Sequence, residues 1–138
     1  MTQTYPRIAQ IVIDTQDVRL LAEFYRELFG LEYRDSDAPP PDGEPDELEW
    51  LVLRSPGGGP QLAFQQTEGV RPSTWPDGSV PQMFHLDTVV ADIAELEKQR
   101  QRALDLGATL RFDRHDDPEE PLYVFADPAG HPFCIFVG

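Results

Sequence analysis

Apolar residues recur along the chain with two periods, and the order of those periods occurs twice. In the first half, an Ile- and Val-rich stretch at residues 7–14 predicts a strand. The apolar spacing of three and four that follows predicts a helix, with Asp17 as its N-cap and Gly30 as its terminal glycine. Three further short strands are predicted, at residues 31–34, 48–54 and 61–66.

The second half of the chain repeats this order. A strand at residues 83–90 precedes a helix that Asp92 caps and Gly107 ends, and strands follow at residues 108–112, 122–126 and 132–137. Internal self-similarity of this kind is typical of duplicated modules. The sequence therefore predicts an α+β fold of two tandem β-α-β-β-β modules. We place the modules at residues 6–66 and 82–138, with a connector at 67–81, all within one domain spanning 1–138.

Residues 35–47 lie outside the repeat. They are acidic and proline-rich, include three consecutive prolines, and show no apolar periodicity. A segment of this composition is expected to be a mobile flap or an excursion between two strands.

Successive side chains of a strand point to opposite faces, so each predicted strand divides into two sets. One set is apolar nearly throughout, as in Ile11 with Ile13 and Phe133 with Ile135, and is expected to face the helices. The other set mixes amides, acids, an imidazole, a thiol and small apolar groups. Buried polar groups need partners, so this set is expected to line a cleft that binds a small molecule, although a solvated sheet face without a ligand is the alternative. Its members are Gln10, Val12, Gln61, Ala63, Gln65, His85, Asp87, Cys134 and Phe136.

Large aromatic side chains near these strands are candidates for stacking on a planar ligand. Trp50, Trp75 and Tyr123 join Phe136 in this group. Core packing or a contact between subunits would explain each of them equally well.

Composition limits the partners of this chain. The 138 residues carry a formal net charge of -14, so we expect an acidic protein that binds neither nucleic acid nor an anionic membrane and that suits a cationic ligand. The single cysteine, Cys134, allows no internal disulfide. No apolar run approaches the roughly 18 residues of a membrane span, and residues 1–7 lack the pattern of a secretory signal. We therefore expect a cytoplasmic protein.

The motifs of both halves resemble the glyoxalase/bleomycin resistance protein/extradiol dioxygenase superfamily, whose fold is called vicinal oxygen chelate. The resemblance rests on Leu28-Phe29-Gly30-Leu31, His85-Leu86-Asp87 and Asp127-Pro128-Ala129-Gly130-His131, and it covers nearly the whole chain. The closing Phe133-Cys134-Ile135 is similar to the branch labelled glyoxalase-like domain. The resemblance implies an open, U-shaped mixed sheet, a concave small-molecule site and a homodimer.

The metal enzymes of this superfamily hold a divalent ion with four inward His, Gln or Glu residues, one from the first and one from the last strand of each module. The resemblance places Gln10, Ala63, His85 and Cys134 at these positions. Ala63 has no ligand atom, and Cys134 stands where the metal enzymes have Glu. Two competent ligands without a carboxylate suit Mg, Mn or Fe poorly, so no cofactor is expected.

Two functions stay open at this point. The first is the binding of a small organic ligand in the concave cleft, without the usual metal. The alternative is a metal-dependent enzyme, a glyoxalase-type lyase or isomerase or a dioxygenase, that uses Gln10, His85 and a non-standard third ligand. His85 and Cys134 could also form a base–nucleophile pair, although a buried cysteine more often serves as a small apolar residue. In a third possibility the protein is a dimer whose cleft has no ligand.

Overall fold

The computed structural model describes residues 2–138, which form eight strands and two helices. Each half has the predicted order of one strand, one helix and three strands, so the α+β fold of two tandem modules is confirmed. The first module consists of β1 (Gln10–Thr15), α1 (Val18–Phe29), β2 (Glu32–Tyr33), β3 (Trp50–Arg54) and β4 (Gln61–Gln66). The second consists of β5 (Leu86–Val90), α2 (Ile93–Asp105), β6 (Thr109–Arg114), β7 (Leu122–Ala126) and β8 (Pro132–Val137).

The two modules have the same sheet topology. The strand order is β1-β4-β3-β2 in one sheet and β5-β8-β7-β6 in the other, and the first and last strands of each module pair in parallel. The register is also repeated, because Val12 lies opposite Ala63 and Asp87 lies opposite Cys134. Ala63 and Cys134 therefore occupy equivalent positions in the two sheets.

Both first strands are shorter than the sequence predicted. β1 begins at Gln10 instead of residue 7, and β5 begins at Leu86 instead of residue 83. The cause is the same in each module. Gln10 pairs with Gln61, which follows Pro60, and Leu86 pairs with Phe133, which follows Pro132. A proline has no N–H with which to extend the parallel ladder. Strands β4, β7 and β8 have the predicted bounds, and β2, β3 and β6 differ from prediction by one or two residues at their ends.

The two helices begin and end as the sequence predicted. The side chain of Asp17 accepts a hydrogen bond from the Leu20 amide at 3.1 Å, and Asp92 accepts one from the Glu95 amide at 2.8 Å. Gly30 ends α1 with a φ of 66°, in the left-handed region that favours glycine. Neither helix, within residues 2–138, is long and apolar enough to cross a membrane.

A single apolar core joins the modules. Phe64 and Phe133 come from different sheets, and both rings contact Tyr25 of α1, with centroids 5.7 Å and 6.1 Å away. Phe125 stacks on Phe133 at 5.3 Å. All four side chains are fully buried, and truncating any one of them to alanine would cost about 3–5 kcal/mol.

A buried hydrogen-bond network reinforces this contact between the modules. The Tyr25 hydroxyl donates to Oδ2 of Asp127 at 2.6 Å, and Oδ1 of Asp127 accepts the amides of Ala129 and His131 at 2.8 and 3.1 Å. Burial raises the pKa of Asp127, while these hydrogen bonds act in the opposite direction.

From α2, the Arg102 guanidinium donates to two carbonyl groups at the end of α1, at 2.7 and 3.2 Å.

The connector packs closely on the turn that contains Asp127. A Cβ atom on Gly130 would lie 2.4 Å from Cβ of Pro72, and Gly130 also has a φ of 96°. Only glycine meets both conditions without strain. The amide of Ser73 donates to the Gly130 carbonyl at 3.2 Å, which fixes the path of the connector beside the second sheet.

Residues 35–47 form the predicted excursion between strands, and they are anchored to the first module. The Asp37 carboxylate is 2% exposed and accepts the Val52 amide of β3 at 2.8 Å. Arg19 of α1 donates to the Asp37 carbonyl at 2.7 Å and to Asp46 at 2.6 Å. These contacts attach Asp37 and Asp46, near the two ends of the segment, to α1 and β3 of the first module.

We expect Tyr25→Phe to lower the free energy of unfolding by about 2 kcal/mol, because it leaves a buried carboxylate oxygen of Asp127 without its donor. Urea denaturation measures this loss. Tyr33→Phe is the matched control, since its hydroxyl donates to Glu23 at 2.9 Å where water can replace it. A loss in Tyr25→Phe no larger than that in Tyr33→Phe would show that the network does not stabilise the fold.

Candidate functional site

A cavity of about 260 Å³ lies on the face of the second sheet that the helices leave uncovered. We name it the cleft cavity. Strands β5 to β8 supply most of its lining, the loop before β7 supplies Glu120, the connector supplies Trp75, and the segment before β5 supplies Gln82 and His85. Its full lining is Trp75, Gln82, His85, Asp87, Phe112, Arg114, Glu120, Leu122, Val124 and Cys134.

The floor of the cleft cavity is apolar and uncharged. Leu122, Val124 and Cys134 form it, and Cys134 is 6% exposed. Burial, with a smaller contribution from the nearby carboxylates of Asp87 and Glu120, raises the pKa of the Cys134 thiol to about 12. The thiol therefore stays protonated near neutral pH and is a poor nucleophile there.

Acidic groups outnumber free cations around this floor. Oδ1 of Asp87 lies 3.0 Å from Nε2 of His85, and the Asp87 side chain is 61% exposed to the cavity and solvent. The guanidinium of Arg114 lies 3.3 Å from Asp117 and 3.9 Å from Glu120, so two carboxylates offset its charge. The cavity can therefore attract a cation more readily than an anion.

One side of the cleft cavity is aromatic. Trp75 and Phe112 meet edge to face, with ring centroids 5.8 Å apart and an interplanar angle of 72°. The sequence indicated Trp75 but missed Phe112, because the strand alternation is interrupted. The register of β6 against β7 shifts between Leu110 and Phe112, so Leu110 lies opposite Phe125 while Phe112 lies opposite Val124 and faces the cavity. No local sequence signal marks this bulge.

Five candidates of the first module lie on the first sheet. Trp50 lies opposite Gln65 and Gln10 opposite Gln61, on the side of the first sheet away from α1. Ala63 shares this face and is fully buried. None of the five lines the cleft cavity. Of the predicted set, His85, Asp87 and Cys134 line the cleft cavity.

Two aromatic candidates are also not part of the cavity. Tyr123 is 3% exposed, its hydroxyl bonds to Glu97 of α2, and it belongs to the core between sheet and helices. The alternation of β7 explains this, since Leu122 and Val124 are the residues of that strand that face the cavity. Phe136 lies on the cavity side, opposite Leu122, but does not line the cavity.

A second cavity, also of about 260 Å³, lies between the two modules, and we name it the seam cavity. Gln82 and His85 line both cavities, and Val12 of the predicted set lines only this one. Its lining is Val12, Ile13, Asp14, Tyr25, Arg71, Ser73, Pro81, Gln82, Met83, Phe84, His85, Leu86, His131 and Pro132.

The side chains present do not fit a divalent metal. Gln10 and Ala63 lie on the first sheet, whereas His85 and Cys134 line the cleft cavity of the second. Within residues 2–138, no group of three or more His, Cys, Asp or Glu side chains is arranged to hold a metal ion. A divalent ion needs several ligands that converge on it, and Ala63 has no ligand atom to supply.

Comparison with known proteins identifies the family. A family profile described as glyoxalase-like domain matches residues 10–136, which is nearly the whole chain and confirms the resemblance seen in the sequence. No curated protein matches the sequence significantly.

Solved structures share the fold over nearly their full lengths. A glyoxalase/bleomycin resistance protein/dioxygenase family enzyme from Burkholderia phytofirmans PsJN has a TM-score of 0.67 at 19% identity, covering 96% of this chain and 98% of that one. A glyoxalase-related enzyme from Fulvimarina pelagi has a TM-score of 0.67 at 22% identity, with coverages of 97% and 89%. A lactoylglutathione lyase from Agrobacterium tumefaciens has a TM-score of 0.60 at 18% identity, with coverages of 99% and 96%. At these identities the likeness shows the fold alone.

Proposed function

The chain belongs to the glyoxalase-like domain family, and on that premise we propose that it binds a small organic cation in the cleft cavity without a divalent metal. The observation that supports this proposal most directly is the combination of an apolar floor, an aromatic side and an acidic rim in one cavity. A cavity with a few convergent polar groups is the usual form of a small-molecule site.

Each part of the cavity contributes a different attraction. Asp87 and Glu120 favour a positive charge, and the net charge of -14 raises the local concentration of cations. The rings of Trp75 and Phe112 offer faces and edges on which a planar cation can pack. The floor of Leu122 and Val124 accepts an apolar body.

We expect an aminoacridine cation to bind, and an anthracene carboxylate of the same ring size to bind at least roughly tenfold more weakly, because only the cation gains from the acidic rim. Quenching of Trp75 fluorescence measures both affinities in a Trp50→Phe background, which leaves Trp75 as the single tryptophan.

In this background the pair Asp87→Asn and Glu120→Gln should weaken aminoacridine binding roughly tenfold. The control replaces Asp42 with Asn and Glu44 with Gln, two exposed residues of the 35–47 excursion, and so makes the same change in net charge away from the cavity. Equal losses in the two double variants, or stronger binding of the carboxylate, would contradict recognition of a cation by this cavity.

The alternative function is a metal-dependent enzyme. It is favoured by one observation, that His85, Asp87 and Cys134 line the same cavity. Since the donors do not fit a divalent ion, we expect elemental analysis of the purified protein to find well below one metal ion per chain. A stoichiometric divalent ion that is lost in His85→Ala would overturn the metal-free proposal in favour of the enzyme.

We also propose that the protein is a homodimer. Large apolar side chains outside both cavities lie exposed on its surface, with Tyr5 at 79% and Ile8 at 84%. The uncovered face of the first sheet is a further surface that a second copy could complete. Light scattering should give twice the 15.6 kDa mass of one chain, and a mass of one chain at micromolar concentration would contradict the proposal.

A cytoplasmic location is part of the same proposal. The chain has a single cysteine, which is buried and free. A free thiol without disulfides is typical of a reducing compartment.

A further inference from the structure

The seam cavity differs from the cleft cavity in its chemistry. Apolar side chains form much of its lining, with Val12 and Leu86 from the two first strands and Met83 and Phe84 from the segment before β5. Met83 and Phe84 are 93% and 57% exposed, so they lie where the cavity opens to solvent. Its volume of about 260 Å³ equals that of the cleft cavity. It suits a ligand of metabolite size.

The lining also contains one positively charged and one negatively charged side chain, and both are free. They are Arg71 and Asp14. Among residues 2–138 neither side chain forms an ion pair or a side-chain hydrogen bond, with each other or with any other group. The chain thus leaves one guanidinium and one carboxylate unneutralised beside an apolar cavity.

The remaining polar groups of the lining are not free to bind a ligand. Oε1 of Gln82 has no hydrogen-bond partner among the residues described, but it has almost no accessible surface, so a ligand in the cavity does not reach it. The other polar groups nearby are already engaged. Nε2 of His131 contacts the Asp14 carbonyl at 2.7 Å, and the Ser73 hydroxyl donates to the Val80 carbonyl at 3.1 Å.

We propose that the seam cavity binds a free apolar α-amino acid in its zwitterionic form. The guanidinium of Arg71 binds the carboxylate, since a planar guanidinium matches a carboxylate in a bidentate manner. The carboxylate of Asp14 accepts hydrogen bonds from the ammonium group. Val12, Met83 and Leu86 contact the aliphatic side chain. This site is separate from the cleft cavity and requires neither Asp87 nor Glu120.

Isothermal titration calorimetry of the wild-type protein with L-leucine and L-methionine tests this site directly. We expect both to bind, and we expect N-acetyl-leucine, which lacks the ammonium, and leucinamide, which lacks the carboxylate, to bind at least roughly tenfold more weakly. If both analogues bind as well as leucine, or if leucine does not bind at millimolar concentration, the proposal is wrong.

Paired variants assign each charge to its residue. Arg71→Gln should weaken leucine binding at least roughly tenfold while leaving leucinamide binding unchanged, and Asp14→Asn should do the same for leucine while leaving N-acetyl-leucine unchanged. Arg54→Gln and Asp42→Asn are the matched controls, because both residues are exposed and lie outside the seam cavity.

The two cavities are distinguished by one further variant. Asp87→Asn should weaken the aminoacridine cation and leave leucine binding unchanged. A loss of leucine binding in Asp87→Asn, or equal losses in Arg71→Gln and Arg54→Gln, would place the amino acid outside the seam cavity and overturn the proposal.

Discussion

The carboxylate of Asp127 lies where α1 of the first module meets the turn before β8, and it accepts hydrogen bonds from both sides. Tyr25 supplies one donor from the first module, and the amides of Ala129 and His131 supply two from the turn itself. The same turn also supports the connector, because Gly130 lies close to Pro72. A buried carboxylate is stable only while its acceptors are satisfied, so this group restricts how the two sheets and the connector can be arranged.

Both cavities depend on that arrangement. The connector reaches the cleft cavity with Trp75 and the seam cavity with Arg71, and it does so because its middle is fixed against the turn. Gln82 and His85 then form a wall common to the two cavities. The second module therefore does not build its pocket alone. The connector supplies one aromatic side chain, Trp75, to the cleft cavity and one charged side chain, Arg71, to the seam cavity.

The sequence predicted the elements well because periodicity and capping are local properties of the chain. Asp17, Gly30 and Asp92 mark the helices in the structure as they do in the sequence. The site was predicted only in part. Alternation indicates which face of a sheet a side chain occupies, but not which residues of that face line a cavity. Val12 and His85 both line the seam cavity, whereas Gln10 and Ala63 line neither of the two cavities. The bulge that turns Phe112 toward that cavity depends on pairing with β7, which no local pattern reveals.

The repeated register has a consequence for how such a chain can diverge. If the two halves descend from one ancestral segment, each position has a counterpart, and Ala63 and Cys134 are one such pair of counterparts. The side chains that face the helices in both modules form one common core, so substitutions there lower the stability of the fold in either module. Side chains on the opposite faces of the two sheets do not pack against the helices, so this constraint does not apply to them. A duplicated architecture of this kind can acquire a new recognition chemistry in one copy while the other preserves the scaffold.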